Sequence, residues 1–595
     1  LVDVADGEGM TPLLHASLAG ELSIVAWLLE HEADVNTTDN LGRSALYHAV
    51  KNMHGEVVQE LLNWKPQLNL ITDVETLLEA ATGNVSIMTM LLDAGADIEL
   101  QNKKNHTILN VAVNEKNPDI VKLLVDRKAN IHHRGYGGWN AISLAADDPA
   151  NAKVLRILAE GGANLRDVHV ETGNTPLHFA AAYYAELTRI LLEFRKGIDL
   201  DKPNNNGETA LIYACDEDNV DCMKLLIRAG ADINAEERLG WRALSIAVRR
   251  SLPLEIIDLL LSQPDIAIDA VGKTNGTALI VACRSLNHEM VTRLLAHGAN
   301  ANVPSMELSF NNTTLKSTCI PWGGQYYERK DQIDGIICEL IAHGADINAM
   351  GGHTIYNAIC AASLSAGVST INLLLDKGAS AQDADPLGRL PIHFAAASGI
   401  KNFEAVALVY RGDLMVCDRA GKNVLHWAAQ FGNVQTVEAI MDLLNSSLRD
   451  RKECINQADI DGWTPLCWAT RPFTTHLGPD SGSETRDYIK TVKVLLDLGA
   501  DRSVKFNMGM GENVETVTPV QMARFCGAEG EIIDMLDPSL DDNSINVVAG
   551  KNSDTDKQTK RYISKTAFCN ICLNVSTLVI TQPSLSMLTK AIAFP

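Results

Sequence analysis

The sequence predicts an all-α fold: a solenoid of about fifteen helix-turn-helix units with short β-hairpin tips. Three observations predict it. A nine-residue string recurs at near-constant spacing. An apolar pair follows most copies about sixteen or seventeen residues later, and a Gly-Ala-Asp/Asn/Ser stop closes the unit. At roughly 150 residues per domain the 595-residue chain would make about four globular domains. The repeat replaces that count, because so short a unit covers its apolar faces only against its neighbours.

The string Gly-x-Thr-Pro-Leu-His-x-Ala-Ala stands almost intact at Gly173 to Ala181. Degraded copies occupy Gly9 to Ala16, Gly207 to Cys215, Gly388 to Ala396, Gly421 to Ala429 and Gly462 to Thr470. The Thr slot marks the units at Thr11, Ser44, Glu75, Thr107, Asn140, Thr175, Thr209, Arg242, Thr277, Thr313, His353, Leu390, Asn423, Thr464 and Thr518. Each part of the unit has a local reason. Thr caps the free amides of a first helix, and Pro at the first helical position loses no needed donor. Apolar residues at helical spacing, such as Ile24, Trp27 and Leu28, predict one buried stripe per helix. The glycines at 95, 162, 230, 298, 344, 378 and 499 suit a left-handed helix stop. Alternation in Ala231-Asp232-Ile233-Asn234 then predicts a short extended arm.

On these residues the sequence resembles the ankyrin repeat family over roughly residues 1–536, and the resemblance implies a hairpin tip and two antiparallel helices per unit. Units near 73–100 and 301–350 are degenerate. Pro321 to Tyr327 and Arg471 to Asp487 are insertions, read first as tolerated surface loops and second as binding loops. Residues 537–560 are rich in Asp, Asn, Ser and Lys and read as a polar linker. Residues 561–595 form a tail carrying Cys569-Asn570-Ile571-Cys572.

Composition excludes several function classes. Lys plus Arg is 51 against 74 Asp plus Glu, a formal charge of −23, which argues against a protein that tracks nucleic-acid phosphates. No run approaches the roughly 20 apolar residues of a membrane helix. The stretch from Leu573 to Pro595 is broken by Asn574, Gln582, Pro583 and Lys590. Twelve scattered cysteines, among them Cys283, Cys338 and Cys360, read as small buried hydrophobes rather than a disulfide frame. With no signal peptide before the first structured residues, the expected location is cytoplasmic or nuclear, not secreted. Leu1 to Ala5 look like the end of a preceding unit, as in a fragment.

Little in the chain points to catalysis. His178, His393 and His426 are one repeat position recurring, and the family resemblance implies that this His bonds the backbone of the neighbouring hairpin. Neither a Gly-x-Gly-x-x-Gly turn nor a phosphate-loop Lys-Ser/Thr motif is present. The pair Cys569 and Cys572 offers two thiolates where structural zinc wants four ligands. Its place after an array and a linker resembles fungal ankyrin proteins that end in a ZZ-type zinc finger, here truncated. No cofactor is therefore expected, unless zinc ligands come from elsewhere. Some arrays of that fungal group form the sensing end of NACHT-type signalling ATPases. Two readings stand: a non-catalytic scaffold holding a protein partner on its concave face, or a regulatory region of a larger enzyme. Either way the expected chain is a monomer with a protein partner, and with no nucleic acid, membrane or small-molecule substrate.

The family resemblance also implies where a partner would sit: on the residue before the Thr slot, and on the pair seven and eight residues after it. Those places hold Trp139, Trp241 and Trp463 at the tips. On the inner helix face they hold Asp147, Asp148, Asp216, Glu217, Arg249, Arg250 and Arg284. Trp and Arg dominate binding hot spots, and an acidic segment beside a basic one can fix a partner's register.

Overall fold

The computed structural model describes residues 2–72, 75–305, 313–320, 330–351, 357–445, 451–470, 487–508 and 515–537. The insertion at Pro321 to Tyr327, nearly all of that at Arg471 to Asp487, the linker beyond Asp537 and the tail with Cys569 and Cys572 lie outside the described residues.

Two compact units divide the chain, Leu1–Ile266 and Ala267–Pro595. The first holds eight helix pairs, from Pro12–Ala19 with Leu22–Glu30 to Ala243–Arg249 with Leu254–Leu261. The second holds seven among its described residues, from Ala278–Arg284 with His288–Ala296 to Pro519–Cys526 with Gly530–Leu536. A short extra helix, Arg451–Ile455, precedes the pair Pro465–Ala469 and Tyr488–Asp497. Within each unit first helices pack on neighbouring first helices and second helices on second helices, so each unit is a two-layered stack.

Helices this short are not stable alone in water and depend on the stacking. The first helices fit because their packed faces are small and apolar: Ala180, Ala181, Ala395, Ala396 and Ala397 are buried. The second helices supply the bulk. Ile87 and Leu91, or Ile120 and Leu124, are fully covered, and each such side chain contributes about 1.5–3 kcal/mol.

The caps form as their sequence implies. Thr175 is extended, Pro176 opens the helix, and the Thr175 side chain and His178 close a reciprocal capping box. All seven predicted stop glycines have left-handed φ, and Lys128 takes the same conformation where one unit lacks the glycine.

The structure corrects five readings. The third unit's cap is Thr76 rather than Glu75, with Glu79 completing a capping box. The cap expected at His353 is Asn357, whose side chain accepts from the Cys360 amide. Ala231 and Ile233 are buried as the alternation implies, yet their segment is a turn, with Asp232 accepting from the Asn234 amide at 2.8 Å. Ile24 and Trp27 are 50% and 54% exposed; in that helix Val25, Leu28 and Leu29 are buried. Finally, the tips are mostly not β ladders. The described tips show isolated bridges, such as Thr38 with Ser44 and Arg134 with Asn140, and one antiparallel hairpin joins Phe506–Met508 to Glu515–Val517.

Candidate functional site

A side chain closes many of the tips alongside a backbone bond such as that from the Asn204 amide to Glu208 O at 2.9 Å. Asn204 Oδ1 accepts from the amides of Asn206 and Glu208 at 2.9 and 3.0 Å. Glu237 does the same for Leu239 and Trp241, Asp418 for Ala420 and Lys422, and Asp459 for Asp461 and Trp463. Short polar residues at turns bond their own backbone in this way. Consecutive tips are then tied by backbone bonds: the Asn205 amide donates to Thr172 O at 2.9 Å and the Arg238 amide to Asn206 O at 3.1 Å. At the far end of each unit a second ladder runs through Asn and Asp side chains. Asn36 accepts from the Gln67 amide, Asn69 from Asp97, and Asp201 from Asp232. Both ladders escaped the sequence reading. Their signal is an Asn, Asp or Glu recurring once per repeat.

The recurrent histidines fasten a helix to the tip that follows. Thr175 N donates to His178 Nδ1 at 3.1 Å, so the proton sits on Nε2, which donates to Glu208 O at 2.9 Å. His393 Nε2 reaches Val416 O and His426 Nε2 reaches Trp463 O, at 3.1 and 3.0 Å. Burial, which penalises the charged ring, lowers the pKa of His178 to about 4 and of His426 to about 3, and depresses that of His393 as well. These rings are neutral fasteners. The same position in the unit capped by Thr313 holds Lys316, which is fully buried and donates through Nζ to Gly351 O at 3.0 Å.

The inner face of the Leu1–Ile266 unit is where the predicted binding residues meet their neighbours. Trp139 is half-buried against the following tip, with its ring centroid 4.6 Å from His169 and 4.8 Å from Phe179. Trp241 is half-buried under Arg249, whose guanidinium carbon lies 4.4 Å over the ring. Arg249 also reaches Asp216 at 3.0 Å, and Arg250 reaches Asp218 at 2.7 Å. The acidic and basic segments thus pair with each other across adjacent repeats. Lys116 similarly holds Asp148 at 2.8 Å. Glu217 bonds the Tyr183 hydroxyl, and burial together with that bond pushes the phenol up to about 12. Asp147 stands apart. It is exposed, and its carboxylate makes no hydrogen bond or ion pair among the described residues. Desolvation by the surrounding chain and the adjacent Asp148 raise its carboxyl pKa, against a smaller opposing pull from His169.

Two predicted residues lie in the Ala267–Pro595 unit. Arg284 is half-buried at the end of helix Ala278–Arg284. Trp463 is only 8% exposed: its ring packs on Trp468 and Phe506 at 4.8 and 5.3 Å, within a core cluster that includes Val517 and Met522. The structure therefore makes Trp463 a packing residue, because the hairpin at 506–517 covers the tip that holds it.

Sequence reasoning missed the exposed apolar residues of the first unit's tips. Tyr136 is 76%, Val170 66% and Leu239 58% exposed, and Tyr183 joins them at the end of an inner helix. The three tip residues occupy no position that the repeat pattern marks; Tyr183 does, eight residues after Thr175, and was passed over.

Comparison with known proteins agrees with this architecture. The family described as "Ankyrin repeats (3 copies)" matches residues 1–72, 77–169, 150–237 and 393–505. Ankyrin repeat domain-containing protein SAT10 of Stachybotrys chartarum is 23% identical over 87% of this chain and 29% of that protein. Ankyrin repeat protein nuc-2 of Neurospora crassa is 29% identical over 40% of this chain and 23% of its own length. The chain therefore spans less than a third of either relative. The crystal structure of the human ASB11 ankyrin repeat domain aligns with 37% of this chain and 98% of that one, at 23% identity and a TM-score of 0.32. No helix among the described residues is long and apolar enough to cross a membrane.

Proposed function

We propose that this chain, which belongs to the ankyrin repeat family, is a non-catalytic scaffold that holds a protein partner on the inner face of its Leu1–Ile266 unit. One observation carries the reading. Beneath this face the apolar residues are covered by neighbouring repeats, yet Tyr136, Val170 and Leu239 project from the tips into solvent. Exposed aromatic and aliphatic side chains grouped on a rigid face are what a partner buries. An intracellular location, cytoplasmic or nuclear, goes with it, since Cys215, Cys283 and Cys360 are buried thiols that suit a reducing compartment.

The test compares two faces. A partner is captured with the native chain and identified, and its affinity is measured for Tyr136→Ser/Leu239→Ser and for Lys122→Glu on the outer helix Pro118–Asp126. The inner-face variant should bind about tenfold or more weakly with its melting temperature nearly unchanged, because exposed tips add little to folding. Loss of affinity in the outer-face variant alone would move the binding surface elsewhere.

A further inference from the structure

Along the inner face, charges at the ends of the first helices form a paired row. Lys116 holds Asp148, Arg249 holds Asp216, and Arg250 holds Asp218. Each pair joins residues 32 or 33 apart, one repeat step. Tyr183 continues the row by bonding Glu217. Asp147 breaks it: its counterpart one repeat on is Ala182, which carries no charge. Tyr184 lies within electrostatic reach of Asp147 and Asp148, and the His169 imidazole favours the ionised form of Asp147 without hydrogen-bonding it. Exposed Glu115 and Glu171 add further negative charge to the same unit.

The apolar tips run beside this row. Gly138 lies against Val170, Gly173 against Asn205, and Gly207 against Arg238, so the tips from Tyr136 to Leu239 form an unbroken line. Three repeat steps of ~9 Å make about 27 Å, the length of about eight extended residues. The helix Pro176–Tyr183 sets the width: eight residues at 1.5 Å put its end about 12 Å from the tip that precedes it.

Resting on the reading above, we propose that this face takes an extended, basic and apolar segment of the partner protein. A Lys or Arg of that segment sits on Asp147 beside Tyr184, and its apolar side chains sit on Tyr136, Val170 and Leu239. The chemistry is complementary on both counts. A cation supplies the charge-assisted bond that Asp147 lacks and gains from the tyrosine face, while apolar groups cover the tips. An acidic segment would meet the negative charge of Asp147, Glu115 and Glu171.

The test pans a displayed library of random 12-residue peptides against the full chain. A synthetic copy of an enriched peptide is then measured by fluorescence anisotropy on the native chain, on Asp147→Asn and on Tyr136→Ser/Leu239→Ser. Enriched peptides should carry a Lys or Arg flanked by apolar residues, and each variant should weaken binding about tenfold with unchanged melting. Peptides without a basic residue, or binding indifferent to Asp147→Asn but lost in Tyr136→Ser/Leu239→Ser, would overturn this inference and leave the inner-face reading standing. Binding indifferent to both variants would overturn both. No enrichment at all would overturn the inference, since a segment of about eight residues fits within such a library.

Discussion

At the third helical position after Thr175 a histidine reaches the next tip; at the same position after Thr313 a lysine does. His178 works at both ends, accepting from the Thr175 amide and donating to Glu208 O. Lys316 has only donors, so it serves Gly351 O and cannot accept from the amide of its own cap residue. The histidine unit is followed by a cap 34 residues on, at Thr209; the lysine unit by one 44 residues on, at Asn357. The shared requirement is a donor aimed at the next tip's carbonyl. The second bond, which ties the helix to its own cap, is what the histidine makes and the lysine lacks in these two units.

Native-state hydrogen exchange distinguishes the two fasteners in three ways, since repeats open in local units. The largest effect is expected from His178→Ala, which removes two buried hydrogen bonds and leaves a gap. Opening of residues 171–208 should become easier by about 3 kcal/mol. A change under about 1 kcal/mol would mean that the fastener is dispensable.

Acid gives the next effect. His178 has a folded pKa of about 4, below the ordinary value of 6.5. Its neutral bonds therefore stabilise the fold fully above pH 6.5, and that stability is lost as pH falls toward 4, because the opened chain takes up the proton first. By pH 5 the unit around His178 should have lost about 2 kcal/mol, while residues 313–345, with no imidazole at that position, should lose less. Equal losses in the two units would put the acid sensitivity elsewhere.

The smallest effect is expected from Lys316→Met, which keeps the volume, removes the donor and also removes a buried charge. Lost bond and relieved desolvation oppose each other, so the net loss in residues 313–345 should be about 1 kcal/mol or less. A loss of about 3 kcal/mol would make the lysine as strong a fastener as the histidine.

Much of the repeat was legible because it is local. Thr175, Pro176 and His178 act within one helical turn, and the stop at Gly230 needs only its own φ. The candidate site was less legible. Trp139, Trp241 and Trp463 hold one slot in the pattern, yet the structure places them differently. Trp139 packs on His169 and Phe179, Trp241 lies under Arg249, and Trp463 is covered from a hairpin more than forty residues later. Arg249 and Asp216 looked like separate charges for a partner until stacking brought them to 3.0 Å.

The number and kind of units, their stops and most of their caps were readable from sequence, since each depends on residues a few positions apart; the caps at Thr76 and Asn357 were not. Tertiary structure alone decided which slots face water. Ile24 and Ile87 hold like places in their second helices, yet Ile87 is buried and Ile24 is half exposed. Exposure is set by whatever packs against a residue from the neighbouring repeat, and in a stack that neighbour lies some thirty residues away, outside the reach of any local pattern.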